Sequence, residues 1–162
     1  MKLADAITTA EADANVKKLV SGGSFFCSAY VLLSPKEKIT MWTLSYYSPK
    51  TGKIAPVEVS ENDVSIGEEG EPMRDKVFEA LGTPHVDEEA ALAKAAEKMA
   101  EMKITPIKTI LSLQKDGIEY WNVTFLTSGG VALNVRIDAH SGEVLIAEKS
   151  NLFNFRNPGA AG

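Results

Sequence analysis

Cysteine, histidine and long apolar runs are all scarce in this 162-residue chain. Each scarcity removes a class of answer. The single cysteine, Cys27, excludes an intramolecular disulfide, so no covalent staple supports the fold. It lies among Phe25, Phe26, Ala29 and Tyr30 with no basic residue adjoining it, which predicts a core thiol and not a reactive one. The two histidines, His85 and His140, have no second His or Cys at ligand spacing, so no metal site is expected, and His140 reads as a solvated turn residue. The longest nearly apolar stretch, Phe25 to Leu33, is about half of the ~20 residues a spanning helix requires, so membrane insertion is not expected. The opening Met1-Lys2-Leu3-Ala4-Asp5-Ala6 lacks the continuous apolar run of a signal peptide. As written the chain reads as cytoplasmic, or as extracytoplasmic if a leader has been removed.

Positive charge is also short: 17 basic side chains stand against 22 acidic ones, a net charge of −5. No run of Lys and Arg offers the counterion-releasing footprint of nucleic-acid binding, and an acidic surface repels anionic lipid headgroups. Ser141-Gly142 lacks the flanking glycines of a nucleophile elbow, and no phosphate-cradling glycine loop is present. The acidic stretch holding Glu61, Asp63, Glu68, Glu69 and Glu71 lacks the ligand alternation of a calcium loop and reads as solvated surface. No catalytic residue, metal ligand or cofactor site is nominated, and the chain is expected not to be an enzyme. A hydrolase with an unrecognised site would need titratable groups gathered in a deep pocket.

What is present is periodicity. At this length one ordinary domain or two small ones of about 80 residues are expected. Leu3, Ile7, Ala10, Ala14, Val16 and Leu19 predict one helix over 3–19, ended by Gly22 and Gly23. Three strands follow, over 25–33, 39–47 and 54–59, with Trp42, Leu44 and Tyr46 on one face of the second. The region 61–71 reads as an acidic loop and 73–81 as a short helix, with Thr83-Pro84 as a boundary. Asp87 then predicts an N-cap for a helix whose stripe is Leu92, Ala95, Ala96, Met99 and Met102. Strands are expected over 104–113, 119–126, 131–137 and 143–147, with Trp121, Val123 and Phe125 inward.

The second half therefore repeats the plan of the first. Trp42-Thr43-Leu44-Ser45-Tyr46 aligns with Trp121-Asn122-Val123-Thr124-Phe125, aromatic and aliphatic residues coinciding at alternate positions. The expected fold class is α+β: two tandem units, each a helix followed by an antiparallel β-meander, over 1–82 and 83–156, with a flexible tail at 157–162. The two copies are expected to form one continuous or face-packed body.

The second copy resembles the PepSY domain family. The resemblance covers about residues 88–147: a helix, a strand near 107–113, then Tyr120-Trp121-Asn122-Val123-Thr124-Phe125, and finally Val135-Arg136-Ile137-Asp138-Ala139-His140-Ser141-Gly142-Glu143-Val144-Leu145. That last segment matches the family's habit of a strand ending in Asp-Ala, a variable residue, Ser or Thr, then Gly-Glu. In such a turn an Asp carboxylate accepts backbone N–H groups and Gly takes the left-handed position. The first copy departs from the pattern, since Ser60-Glu61-Asn62-Asp63-Val64 lacks the Gly. The resemblance implies a helix packed on an antiparallel sheet, cystatin-like in shape, in a family found in propeptides of secreted metallopeptidases and in envelope proteins. It carries no catalytic residues. The function expected from it is a non-catalytic protein-binding or regulatory module whose partner is a peptidase that it restrains. The alternative is a small-molecule or peptide binder using the concave sheet face beneath each helix. Trp42, Tyr47, Tyr120 and Trp121 are the residues nominated to contact a ligand or partner, against a competing reading in which the tryptophans are core. Free sheet edges would also allow a homodimer.

Overall fold

An apolar helix stripe needs an apolar sheet face to bury it, and alternating strands supply one. In the computed structural model, which describes residues 1–72 and 76–152, helices α1 (Leu3–Ala12), α2 (Ala14–Ser21) and α3 (Glu88–Glu101) accompany eight strands. The strands are β1 (Phe25–Leu33), β2 (Met41–Tyr47), β3 (Ile54–Ser60), β4 (Val64–Ile66), β5 (Lys108–Asp116), β6 (Ile118–Leu126), β7 (Val131–Asp138) and β8 (Val144–Asn151). The protein is α+β, with all eight strands in one antiparallel sheet of order β4-β3-β2-β1-β5-β6-β7-β8.

The centre of the sheet is the pairing of β1 with β5. Tyr30 lies opposite Ser112, flanked by Ala29 opposite Leu113 and Val31 opposite Leu111. Moving outward, Tyr30 pairs with Thr43 on β2 and Ser112 with Asn122 on β6, each the residue that follows a tryptophan. Helix α1 lies over β2 and β3, and α3 over β6 and β7. Trp42 and Trp121 are both completely buried, 6.2 Å apart between ring centroids. Each indole N–H donates to the backbone carbonyl two residues ahead of a helix: Trp42 to Met1 at 3.1 Å, Trp121 to Val86 at 2.8 Å. Around them Leu44, Val57, Val59, Leu111, Leu113, Val123, Leu133, Val135 and Ile137 complete a continuous core.

Several expected elements need correction. The helix expected over 3–19 is two, because Asp13 takes an extended backbone and its carboxylate captures the N–H groups of Asn15 and Val16, starting α2 afresh. The acidic loop contains a strand, β4, paired with β3 through Val59–Val64 and Val57–Ile66. Residues 76–81 of the helix expected over 73–81 are not helical, and 73–75 lie outside the described residues. There Leu81 instead donates its N–H to the Phe26 carbonyl. Strand β5 starts at Lys108 and not near 104, since the N–H of Ile104 turns back to the Met99 carbonyl and closes α3. The stripe of α3 is shifted: Glu88, Ala91 and Ala95 are buried, while Leu92, Met99 and Met102 pack at its margin. Strand β8 runs on to Asn151, and the tail expected at 157–162 lies outside the described residues.

Candidate functional site

The buried apolar residues of all three helices join the core on one face of the sheet, so function must be sought on the other, at the edges or in the turns. The ladder sets which residues face outward. Residues at alternate positions to the buried set include Ser28, Tyr30 and Leu32 on β1, Met41, Thr43, Ser45 and Tyr47 on β2, and Ser112, Gln114, Asn122, Thr124 and Arg136 on β5 to β7. Successive side chains alternate across a strand, so these residues share the helix-free face.

Polar side chains cover the β5–β7 part of that face and bond to one another. Gln114 donates through Nε2 to Ser112 Oγ at 3.0 Å and accepts at Oε1 from the Tyr120 hydroxyl at 3.1 Å. The Arg136 guanidinium lies 5.0 Å from the Tyr120 ring centre, a cation–π distance. Asn122 reaches Thr124, and Thr124 reaches Asn134. Among the described residues, two buried atoms here find no hydrogen-bond partner, the acceptor Asn122 Oδ1 and the donor Nε of Arg136, and their residues are cross-strand partners. Leaving each unsatisfied costs about 1–3 kcal/mol.

A cleft of about 520 Å3 opens over the β1–β5 seam, lined by Ser28, Tyr30, Ile110, Ser112, Gln114 and Asn122, with Lys76 and Phe78 at one end. At that end Phe78 stacks against Tyr47 at 4.7 Å and Phe25 meets Tyr47 edge-on at 5.7 Å. Toward the other end Tyr30 (45% exposed), Leu32 (54%) and Met41 (43%) present apolar surface.

Of the nominated contact residues, Trp42 and Trp121 lie in the core and reach no external molecule in this conformation, and Tyr120 is nearly buried beneath Arg136. Tyr47 is half-buried on the helix-free face, inside the aromatic cluster. The face beneath the helices, where a ligand cup was the alternative expectation, is filled by the core. Sequence reasoning missed Tyr30, Leu32, Phe78 and Arg136. Strand alternation carried the signal for Tyr30, Leu32 and Arg136, whose positions are those left over once the inward set is fixed.

Among the described residues, three titratable groups are clearly displaced from their ordinary values. Burial pushes the Cys27 thiol up to about 11, against smaller opposing effects from Ser28 and the Lys76 charge, so it stays protonated near neutrality. Burial, with the nearby Glu11 charge, pushes the Tyr46 phenol up to about 12. The Asp138 carboxyl is held below the usual carboxylate range by the N–H groups of Ser141 and His140, which it accepts at 3.0 and 2.7 Å. Gly142 completes that turn at φ 82°. Among the described residues no group of three or more His, Cys, Asp or Glu could hold a metal, and no helix is long and apolar enough to cross a membrane.

Comparison with known proteins agrees with this geometry. Residues 86–146 match the PepSY family, described as the peptidase propeptide and YPEB domain. The match takes in α3, β5, β6, β7 and the Asp138 turn. A Clostridium difficile 630 protein of known crystal structure, described as a "putative lipoprotein", shares the fold with a TM-score of 0.50 at 14% identity, over 84% of this chain and 89% of its own. Among curated proteins no relative matches the chain.

Proposed function

We propose that this chain is a non-catalytic module that binds another protein through the helix-free face of its sheet. The observation that carries the reading is the PepSY match over 86–146, a domain described by its place in peptidase propeptides. Physical support comes from the face itself. It joins an aromatic cluster, exposed Tyr30, Leu32 and Met41, and a polar floor whose Ser112, Gln114 and Tyr120 side chains bond to one another.

The finer reading is that the partner is a peptidase and that binding restrains it outside the cytoplasm. It further takes residues 1–82 as a divergent copy of the unit in 83–156. The paired registers about Tyr30 and Ser112, and the two indole bonds to pre-helix carbonyls, support the duplication. A homodimer through the outer edge of β8 belongs to the same proposal.

The test is titration of the protein into secreted zinc metallopeptidases with a peptide substrate, alongside size-exclusion chromatography of the mixture. Saturable inhibition or a co-eluting complex, lost in Tyr30→Glu and Leu32→Glu, supports the reading. Retained binding in both variants moves the interface elsewhere, and no complex at about 100 μM, far weaker than specific interfaces achieve, removes the peptidase. The cleft over the β1–β5 seam favours one second reading, a short-peptide binder, which a thermal-shift screen against peptides distinguishes from a folded partner.

A further inference from the structure

The two histidines are 55 positions apart in sequence, His85 ahead of α3 and His140 in the β7–β8 turn (140 − 85 = 55). The fold brings their rings into contact, with centroids 4.5 Å apart and planes at 66°. Both backbones are fixed. The N–H of Val86 donates to the Ala139 carbonyl at 2.8 Å, and the Val86 carbonyl accepts the Trp121 indole. On the other side, Asp138 accepts the N–H groups of His140 and Ser141. Both imidazoles are exposed, and neither ring makes a hydrogen bond to another described residue.

We propose that His85 and His140 together chelate a borderline divalent ion, Zn2+ or Cu2+, with solvent completing the coordination. Zinc–nitrogen bonds of about 2.0–2.1 Å put each imidazole centre about 3.2 Å from the metal, so two rings bound at 90–110° have centres about 4.5–5.2 Å apart. The observed separation of 4.5 Å is at the lower end of that range. The anchored backbones mean that little ordering is required on binding, and such preorganisation favours affinity. The Asp138 carboxylate, close enough for its charge to interact with His140, makes the locality anionic. Its Oδ1 is taken up by the N–H groups of His140 and Ser141, and it enters the proposal as a charge neighbour alone. Copper is expected to bind more tightly than zinc, following the usual order for nitrogen donors.

Isothermal titration of the full chain with ZnCl2 and with CuCl2 reads the proposal, with His85→Ala and His140→Ala as separate variants checked for folding by circular dichroism. The expected result is one site, weakened at least about tenfold in either variant, because the second imidazole's ligation is intramolecular. Affinity also falls on acidification, since both nitrogens must be free of protons. Wild-type binding weaker than about 1 mM, or variants that remain folded and bind as tightly as the wild type, overturns the proposal.

Discussion

The carboxylate of Glu88, the first residue of α3, accepts the backbone N–H of Leu3, the first residue of α1, at 3.2 Å across 85 positions of sequence. Glu88 is 3% exposed. One negative group therefore serves the electropositive starts of both helices, its own by position and its neighbour's by hydrogen bond. Lys2, the residue at the N-cap of α1, supplies no side-chain bond, so Glu88 does the capping from outside the helix.

Replacing Glu88 by alanine is expected to lower stability by about 1–2 kcal/mol, the range for a lost cap and a buried N–H left unpaired. Glu88→Gln retains an acceptor and should lose less. Urea denaturation followed by circular dichroism measures both, and an unshifted midpoint in Glu88→Ala would show that the contact contributes nothing.

The indole bonds of Trp42 and Trp121 are expected to contribute alike. Phenylalanine at either position keeps an aromatic ring and removes the N–H, leaving a carbonyl unpaired at a cost of about 1–3 kcal/mol. Because the two rings touch, the double variant should depart from additivity by at least about 0.5 kcal/mol. Strict additivity in a double-mutant cycle argues that the rings are energetically independent.

For the β7–β8 turn the sign follows from the lowered Asp138 value. A carboxyl whose folded pKa lies below its unfolded one stabilises above the unfolded value, about 3.9, and loses that contribution as pH falls through the folded value. Asp138→Ala should thus be less stable than wild type at pH 7, with the gap closing below about pH 4. A gap independent of pH would assign the loss to packing.

Cys27 is expected to resist alkylation. With its thiol pushed up to about 11 and its side chain buried, iodoacetamide at pH 8 should label the native protein far more slowly than the urea-unfolded chain. Equal rates would place the thiol at the surface. The linkage has the opposite sign to that of Asp138: the contribution to stability is present below the thiol's ordinary value of 9.0 and lost as pH rises toward 11.

Strands were the most legible part of the sequence, because a two-residue period together with short turns specifies face and partner at once. Trp42, Leu44 and Tyr46, and Trp121, Val123 and Phe125, are inward as the alternation requires. What stayed hidden depends on contacts far along the chain. Asp13 sits inside an unbroken helical stripe, and its capping geometry alone separates α1 from α2. Val64-Ser65-Ile66 is too short to read as a strand until β3 lies beside it. Glu88 reads as a solvated first-turn acid until α1 arrives over it. The bonding within the helix-free face was hidden for a different reason. Ser, Thr, Asn and Gln at alternate positions look like ordinary outward residues, and nothing local distinguishes a bonded polar floor from solvated surface. Spacing rules likewise kept His85 and His140 apart, although the fold joins them.

The β1–β5 seam has a consequence for fragments. Each half, expressed alone, would carry a nine-residue strand with one edge unpaired over the stretch that meets the other half, Ala29 to Leu33 on β1 or Thr109 to Leu113 on β5. Such an edge lacks the shortness, prolines or inward charges that keep natural sheet margins from associating. Separated halves should seek each other, or copies of themselves, so mixing them offers a route to reassembly, while either one in isolation is prone to precipitate.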